Sequence, residues 1–408
     1  MTRKLSVFVA AVLALAACTE QPELGDALSS FDSAGVAIIE YTALPESAAD
    51  LPIPAQPSLQ LGVVEGDPAQ EFEFVASATR LADGTVVIAD AGASELRAFG
   101  PNGELRWTAG REGEGPGEYR NIEWVRRHGD SRAVYDRALG RLTVLGLDGA
   151  LIRTVNLRPA PGGLRPHVLA VRPDGSMIVR AQQMVTPNIA PGVHKPVGFI
   201  ALYSSSGELA DSVVSVGGRE WALTVVDGRR LLAAHIFGRE GLAAASPQAI
   251  HIADSDRLEV QSFAVDGELR RVLRVAQPAS PVTQADIDAY RELRLARESD
   301  ESRHPRIRRE IDAAPFPETH PHLRQLYTDR AGRLWLEEYR RPWETQSRFD
   351  VFDADGIFVG RALLPDGERL LEAGPGFVLT RRVDDLGVHY VRLYEWQEVE
   401  QVTRISGT

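Results

Sequence analysis

One hairpin recurs along this chain and limits what it can fold into. An aromatic or Leu stands four residues before a glycine, and an apolar residue stands two after it. The five copies are Phe99, Gly103 and Leu105; Leu145, Gly149 and Leu151; Tyr203, Gly207 and Leu209; Phe263, Gly267 and Leu269; and Phe352, Gly356 and Phe358. Asn-Gly and Asp-Gly supply the left-handed backbone of a tight turn. Alternating apolar residues on both sides read as strands, not helix. A second turn precedes each hairpin, at Gly84, Gly129, Gly175, Gly228, Gly332 and Gly376. These glycines lie 45, 46, 53, 104 and 44 residues apart, so the long gap holds an insertion. A unit of about 45 residues with about four short strands, repeated around a ring, predicts an all-β six-bladed β-propeller of four-stranded antiparallel blades.

The last unit is short of a strand. Phe377–Arg382 and His389–Trp396 supply strands, but no Asp-Gly hairpin follows them. The segment Phe31 to Gly35 has the same aromatic-to-glycine spacing, so Val36–Tyr41 is expected to complete the last blade. An N-terminal strand of this kind closes the ring by hydrogen bonds and removes its edges.

The run from Asp83 to Asp90, followed by Leu96, Phe99 and Gly103, resembles an NHL repeat. The segment Gly110 to Tyr119 resembles the inter-blade segment of bacterial six-bladed propeller lipoproteins. The resemblance spans roughly residues 31–397 and is best in the first repeat; the third and fourth depart from it by long loops. It implies the fold and almost no function, because propellers host enzymes, receptors and scaffolds alike.

The N-terminus carries its own signal. Arg3 and Lys4 precede an apolar run, Leu5 to Ala17, that is too short to span a bilayer as a helix. The run ends in Leu15-Ala16-Ala17-Cys18, which resembles a bacterial lipobox. That resemblance implies a signal peptide at 1–17, cleavage before Cys18, and lipid on Cys18. Residues 18–30 then read as a flexible tether and 31–408 as the propeller. Thr19, in place of Asp, favours the outer membrane of the cell envelope. The expected partners are the membrane, through the anchor, and an unidentified protein or small ligand. Loss of Arg3 and Lys4 takes the net charge from −12 to about −14. Such an acidic chain is unsuited to nucleic acid.

Residues 279–321, between the fourth and fifth blades, read as a helical insertion. Thr283 and Asp286 have capping-box spacing. Ile287, Tyr290, Leu293 and Leu295 give a narrow apolar stripe, and Arg306–Ile311 forms a second short helix. An insertion of this length is either a lid or a packed appendage.

The candidate site is the loop Arg111, Glu112, Glu114, Glu118 and Tyr119, whose charges sit among Gly113, Gly115, Pro116 and Gly117. It joins the outer strand of one blade to the inner strand of the next. It is therefore expected to cross a ring face near the axis, where propeller ligands sit. The loop lacks Lys and a strand-to-helix context, so it is no phosphate loop. His320 and His322 have the spacing of zinc ligands, but the other histidines do not recur at one blade position. Asn121 is one of four asparagines and the only one placed for an axial calcium site. No nucleophile elbow is present. The sequence thus assigns no catalytic residue, metal or cofactor. It predicts a non-catalytic binding or scaffold module, the alternative being a calcium-dependent propeller hydrolase of lactonase or esterase type.

Overall fold

The computed structural model describes residues 27–45 and 50–397; the signal peptide, Cys18 and most of the tether lie outside them. The described chain is mostly β. Its strands form four-stranded antiparallel sheets, which we number in chain order. Sheet I holds Val75–Arg80, Val86–Asp90, Glu95–Phe99 and Leu105–Ala109, and sheet II holds Ile122–His128, Ser131–Asp136, Arg141–Leu145 and Leu151–Asn156. Sheet III holds Pro166–Val171, Met177–Gln182, Val197–Tyr203 and Leu209–Gly217. Sheet IV is built on Gly241–Ala245, Ala249–Asp254, Glu259–Ala264 and Leu269–Val275. Sheet V holds Leu323–Thr328, Leu334–Glu338, Arg348–Phe352 and Phe358–Leu363. Sheet VI holds Arg369–Gly374, Phe377–Val383, His389–Glu395 and, as its fourth strand, Leu59–Leu61.

The five repeated hairpins are the turns between third and fourth strands. In each, the glycine has φ between +81° and +89° and donates its N–H back across the turn. A register shift follows at the same place in all five, so each is a type I turn closed by a left-handed glycine and a bulge. Other residues carry a Cβ that this conformation strains. At Gly207 a Cβ would also lie 2.3 Å from the Asn156 carbonyl oxygen of the preceding sheet.

The sheets pack face to face in a closed cycle. Val87 and Leu96 of sheet I meet Val125 and Val134 of sheet II. Tyr135 and Leu142 meet Val168 and Val179 of sheet III, whose Ile178 and Ile200 meet Ile250 and Phe263 of sheet IV. Leu242 and Val260 meet Leu326 and Leu336 of sheet V. Trp335 and Phe349 meet Leu370, Val378 and Tyr394 of sheet VI, and Leu379 and Leu393 return to Val75 and Ile88 of sheet I. First strands also bond around the ring: Ser77 Oγ lies 3.4 Å from the Val125 carbonyl, Thr328 donates to Ala245 O at 3.2 Å, and Thr79 donates to Glu372 at 3.0 Å. This arrangement fits a β-propeller.

Two sequence expectations are corrected. Val36–Tyr41 does not complete sheet VI. It pairs in parallel with Leu269–Val275 at the outer edge of sheet IV, and Leu28–Ser33 folds back on it. Ile39 and Tyr41 prefer that place because they bury between sheets IV and V, where Tyr41 accepts the Phe358 N–H at 2.8 Å. Leu59–Leu61 takes the sheet VI position instead. Gly228 likewise does not open sheet IV. It turns a separate three-stranded sheet of Gly192–His194, Trp221–Val226 and Arg229–Ala234, while the first turn of sheet IV, at 246–248, has no glycine.

Two helices interrupt the β-structure, α1 (Gln284–Ala296) and α2 (His304–Asp312). Thr283 and Asp286 form the expected capping box on α1. Ile307 and Ile311 bury one face of α2, and Arg309 reaches Asp227 of the three-stranded sheet at 3.1 Å.

Candidate functional site

A cavity of about 320 Å³ opens where the first strands of sheets IV and V begin. Its walls include Arg219, His235, Phe237, Tyr290, Arg324, Tyr339 and Arg340. Phe237 holds the aromatic side together, with ring centres 5.7 Å from Tyr290, 6.0 Å from Phe316 and 4.9 Å from His320. It does so with φ +55°, a conformation that costs a non-glycine residue about 1–2 kcal/mol. Asp286 fixes α1 over this side. It lies 2.8 Å from Arg341 Nε and 3.4 Å from His320 Nε2. Burial would raise the Asp286 pKa, but the Thr283 hydroxyl and amide, His320 and Arg341 hold it well below the usual carboxylate range.

The opposite side is cationic. Arg324 and Arg340 lie 2.6 and 3.8 Å from one buried carboxylate, Glu337. Tyr327 and Ser347 donate to the same carboxylate at 3.3 and 3.2 Å. Burial lowers the Arg340 pKa; Arg324 and Arg369 lower it further, against Glu337. Arg369 is exposed and has no ion-pair partner among the described residues. Arg381, over Phe74 at 5.4 Å, is lowered by burial and then by Arg369. Among the lining arginines, Arg219 lies 3.5 Å from Glu240, which also lines the cavity, while Arg324 and Arg340 share Glu337.

His235 lies at the cavity wall with its Nδ1 2.8 Å from Glu220. Burial would raise Glu220, but the Arg239 amide and His235 bring its pKa down. The His235 Nε2 is buried and has no partner among the described residues.

The residues singled out from sequence lie elsewhere, between sheets I and II. Arg111 is bound to Glu118 at 2.6 Å, and the other Glu118 oxygen accepts the Gly115 N–H at 2.7 Å. Glu114 pairs with Arg120 at 3.0 Å, Glu112 is exposed, and Tyr119 is buried in the core. The loop's charges are thus mostly spent on one another. Of the metal candidates, His320 is buried and stacked on Tyr339 at 5.5 Å, and the Asn121 side chain is exposed while its amide donates to Asp136. Among the described residues no three His, Cys, Asp or Glu side chains gather to hold a metal. Arg324, Arg340, Arg369 and Phe237 carry no local motif. Phe237, Arg324 and Arg340 meet at one cavity only in the fold, with Arg369 nearby.

No protein-family model matches this chain, and no curated protein does. Among solved structures, a protein described as exported from Bacteroides fragilis is 10% identical with a TM-score of 0.49, covering 88% of this chain and 100% of its own. Regucalcin from Agrobacterium tumefaciens, a calcium-binding protein, is 10% identical with a TM-score of 0.40, covering 85% and 96%. A gluconolactonase from Xanthomonas campestris is 13% identical with a TM-score of 0.37, covering 85% and 98%.

Proposed function

We propose that this chain is a six-bladed propeller that binds a small organic anion, without chemistry, in the cavity between sheets IV and V. The observation that carries this is the crowding of guanidinium groups: Arg324 and Arg340 lie on the single buried carboxylate of Glu337, and Arg369 nearby lowers the Arg340 pKa further. A ligand carboxylate relieves that repulsion and accepts forked hydrogen bonds from arginine. The aromatic wall of Phe237 and Tyr290 suits an apolar ligand body.

The test is calorimetric titration of 3-phenylpropionate into the detergent-solubilised chain. Wild type is expected to bind it. Arg340→Met is expected to bind roughly ten- to a hundredfold more weakly, the worth of a charged hydrogen bond. Its melting temperature should not fall. Equal binding by both proteins, or none by either, removes this reading. A hydrolase reading draws on the Glu220–His235 pair beside the cavity, and the phenyl ester of the same acid separates the two. Ester recovered intact after incubation supports the binder, and released phenol supports the hydrolase. Among the described residues no three His, Cys, Asp or Glu side chains gather, whereas a calcium centre takes six to eight oxygen ligands of carboxylate, carbonyl or water type.

The envelope location rests on the N-terminal run. Cys18→Ser is expected to leave the signal peptide uncut or to shift the protein into the soluble fraction. Unchanged processing and membrane fractionation of the variant would contradict the anchor.

A further inference from the structure

The turn between the three-stranded sheet and sheet IV brings a histidine to the cavity with one ring nitrogen unused. The chain folds back tightly at 235–238. The His235 N–H donates to the Glu220 carbonyl at 3.0 Å, and the Gly238 N–H donates to the His235 carbonyl at 2.9 Å. A Cβ at Gly238 would lie 2.6 Å from the His235 Cβ, so glycine there leaves the imidazole its place. Glu220 meets the ring from one side. Its Oε2 lies 2.8 Å from His235 Nδ1 and also accepts the Arg239 N–H at 2.9 Å. An ionised carboxylate only accepts hydrogen bonds, so Nδ1 is the nitrogen that carries the hydrogen.

The other ring nitrogen is left over. Nε2 is buried and has no partner among the described residues, on a side chain that is 6% exposed. His235 lines the cavity and Glu220 does not. The ring therefore stands between the two, with Nδ1 toward Glu220 and the opposite edge, which holds Nε2, toward the cavity. With the hydrogen on Nδ1, the neutral ring presents a lone pair at Nε2. The arginines of the wall are engaged elsewhere: Arg219 lies 3.5 Å from Glu240, and Arg324 and Arg340 lie on Glu337. A buried acceptor without a donor is unfavourable, and a ligand that brings the donor removes that cost. His235 shares its turn with Phe237, so this acceptor belongs to the aromatic end of the cavity, while Arg324 and Arg340 mark the carboxylate end.

We propose that His235 Nε2 accepts a hydrogen bond from a hydroxyl on the aromatic end of the ligand, so that the cavity selects hydroxyaryl carboxylates over the plain aryl acid. This rests on the organic-anion reading above and adds the ligand class; no covalent bond is made or broken.

The probes are 3-phenylpropionate, its 2-, 3- and 4-hydroxyphenyl analogues, and the corresponding methoxyphenyl acids, titrated calorimetrically at pH 8 into the detergent-solubilised chain. One hydroxyphenyl acid is expected to bind wild type about tenfold more tightly than 3-phenylpropionate, the worth of one hydrogen bond. Its methyl ether keeps the oxygen but has no hydrogen to give, so it should show no gain. In His235→Phe the hydroxyl advantage should vanish while 3-phenylpropionate still binds. The comparison among ligands on wild type decides the matter even where His235→Phe does not fold. Three results overturn the role of Nε2 and leave the cavity reading standing: binding of 3-phenylpropionate with no gain from any hydroxyl, an equal gain from the methyl ether, or a hydroxyl advantage that survives in His235→Phe. Binding of none of the acids overturns both.

Discussion

Leu61→Asp is expected to prevent the domain from folding. Leu61 is 1% exposed and packs with Phe72, Val75, Phe99 and Leu393, at the junction where the last sheet meets the first. Removing a buried leucine side chain costs about 2–5 kcal/mol. An aspartate there adds an unpaired buried charge, and the sum approaches the whole stability of a typical domain, about 5–15 kcal/mol. Leu61→Ala should fold with a clearly lower melting temperature. Phe31→Asp is the control: Phe31 is 49% exposed on the outermost strand and should change stability by less than about 0.5 kcal/mol. Circular dichroism melts of the three variants check this. A cooperative, wild-type-like transition in Leu61→Asp would show that Leu59–Leu61 does not close the ring.

Asp350→Asn is expected to stabilise the protein above neutral pH. Asp350 is 3% exposed on the third strand of sheet V, and its Oδ1 lies 3.5 Å from Arg361 Nε. Burial, and then Glu338, push its pKa up to about 7, against Arg361. In the unfolded chain an aspartate titrates near about 3.9. Between these values the folded state binds the extra proton, so stability falls as pH rises from about 4 to about 7 and stays lost above. At about 1.4 kcal/mol per pH unit the loss is of order 4 kcal/mol. Asparagine carries no charge to desolvate, so the variant should lack this part of the decline. Urea midpoints at pH 5 and pH 8 decide it. Wild type and variant should differ far more at pH 8, with the variant higher. A difference of equal size at both values would mean that Asp350 does not titrate in this range.

The hairpins were legible because each glycine serves a fixed left-handed backbone position, a local requirement that sequence records directly. Partner choice was not. Val36–Tyr41 is a strand, as its alternation predicts, but alternation says nothing about which edge it joins. The strand that does join sheet VI, Leu59–Leu61, is three residues long and follows Pro52, Pro54 and Pro57, too short to show a period. Gly228 misled because an Asp-Gly turn serves a satellite hairpin as readily as a blade. The helical insertion was readable from its cap, Thr283 to Asp286.

The site was less legible than the fold. The loop from Arg111 to Tyr119 drew attention because charges and glycines are dense there, and density along a chain is easy to see. Arg324 and Arg369 stand on strands of sheets V and VI, and Arg340 follows the strand Leu334–Glu338. Their significance lies in the Glu337 carboxylate that Arg324 and Arg340 share and in the repulsion that Arg369 adds, which exist only in the fold.

The organic-anion cavity is tested most directly by a crystal of the protein soaked with 3-(4-bromophenyl)propionate and measured at the bromine edge. The account predicts one anomalous peak against Phe237 and Tyr290, with the ligand carboxylate on Arg324 and Arg340. A cavity without bromine at saturating ligand, or bromine only on the outer surface, would contradict it.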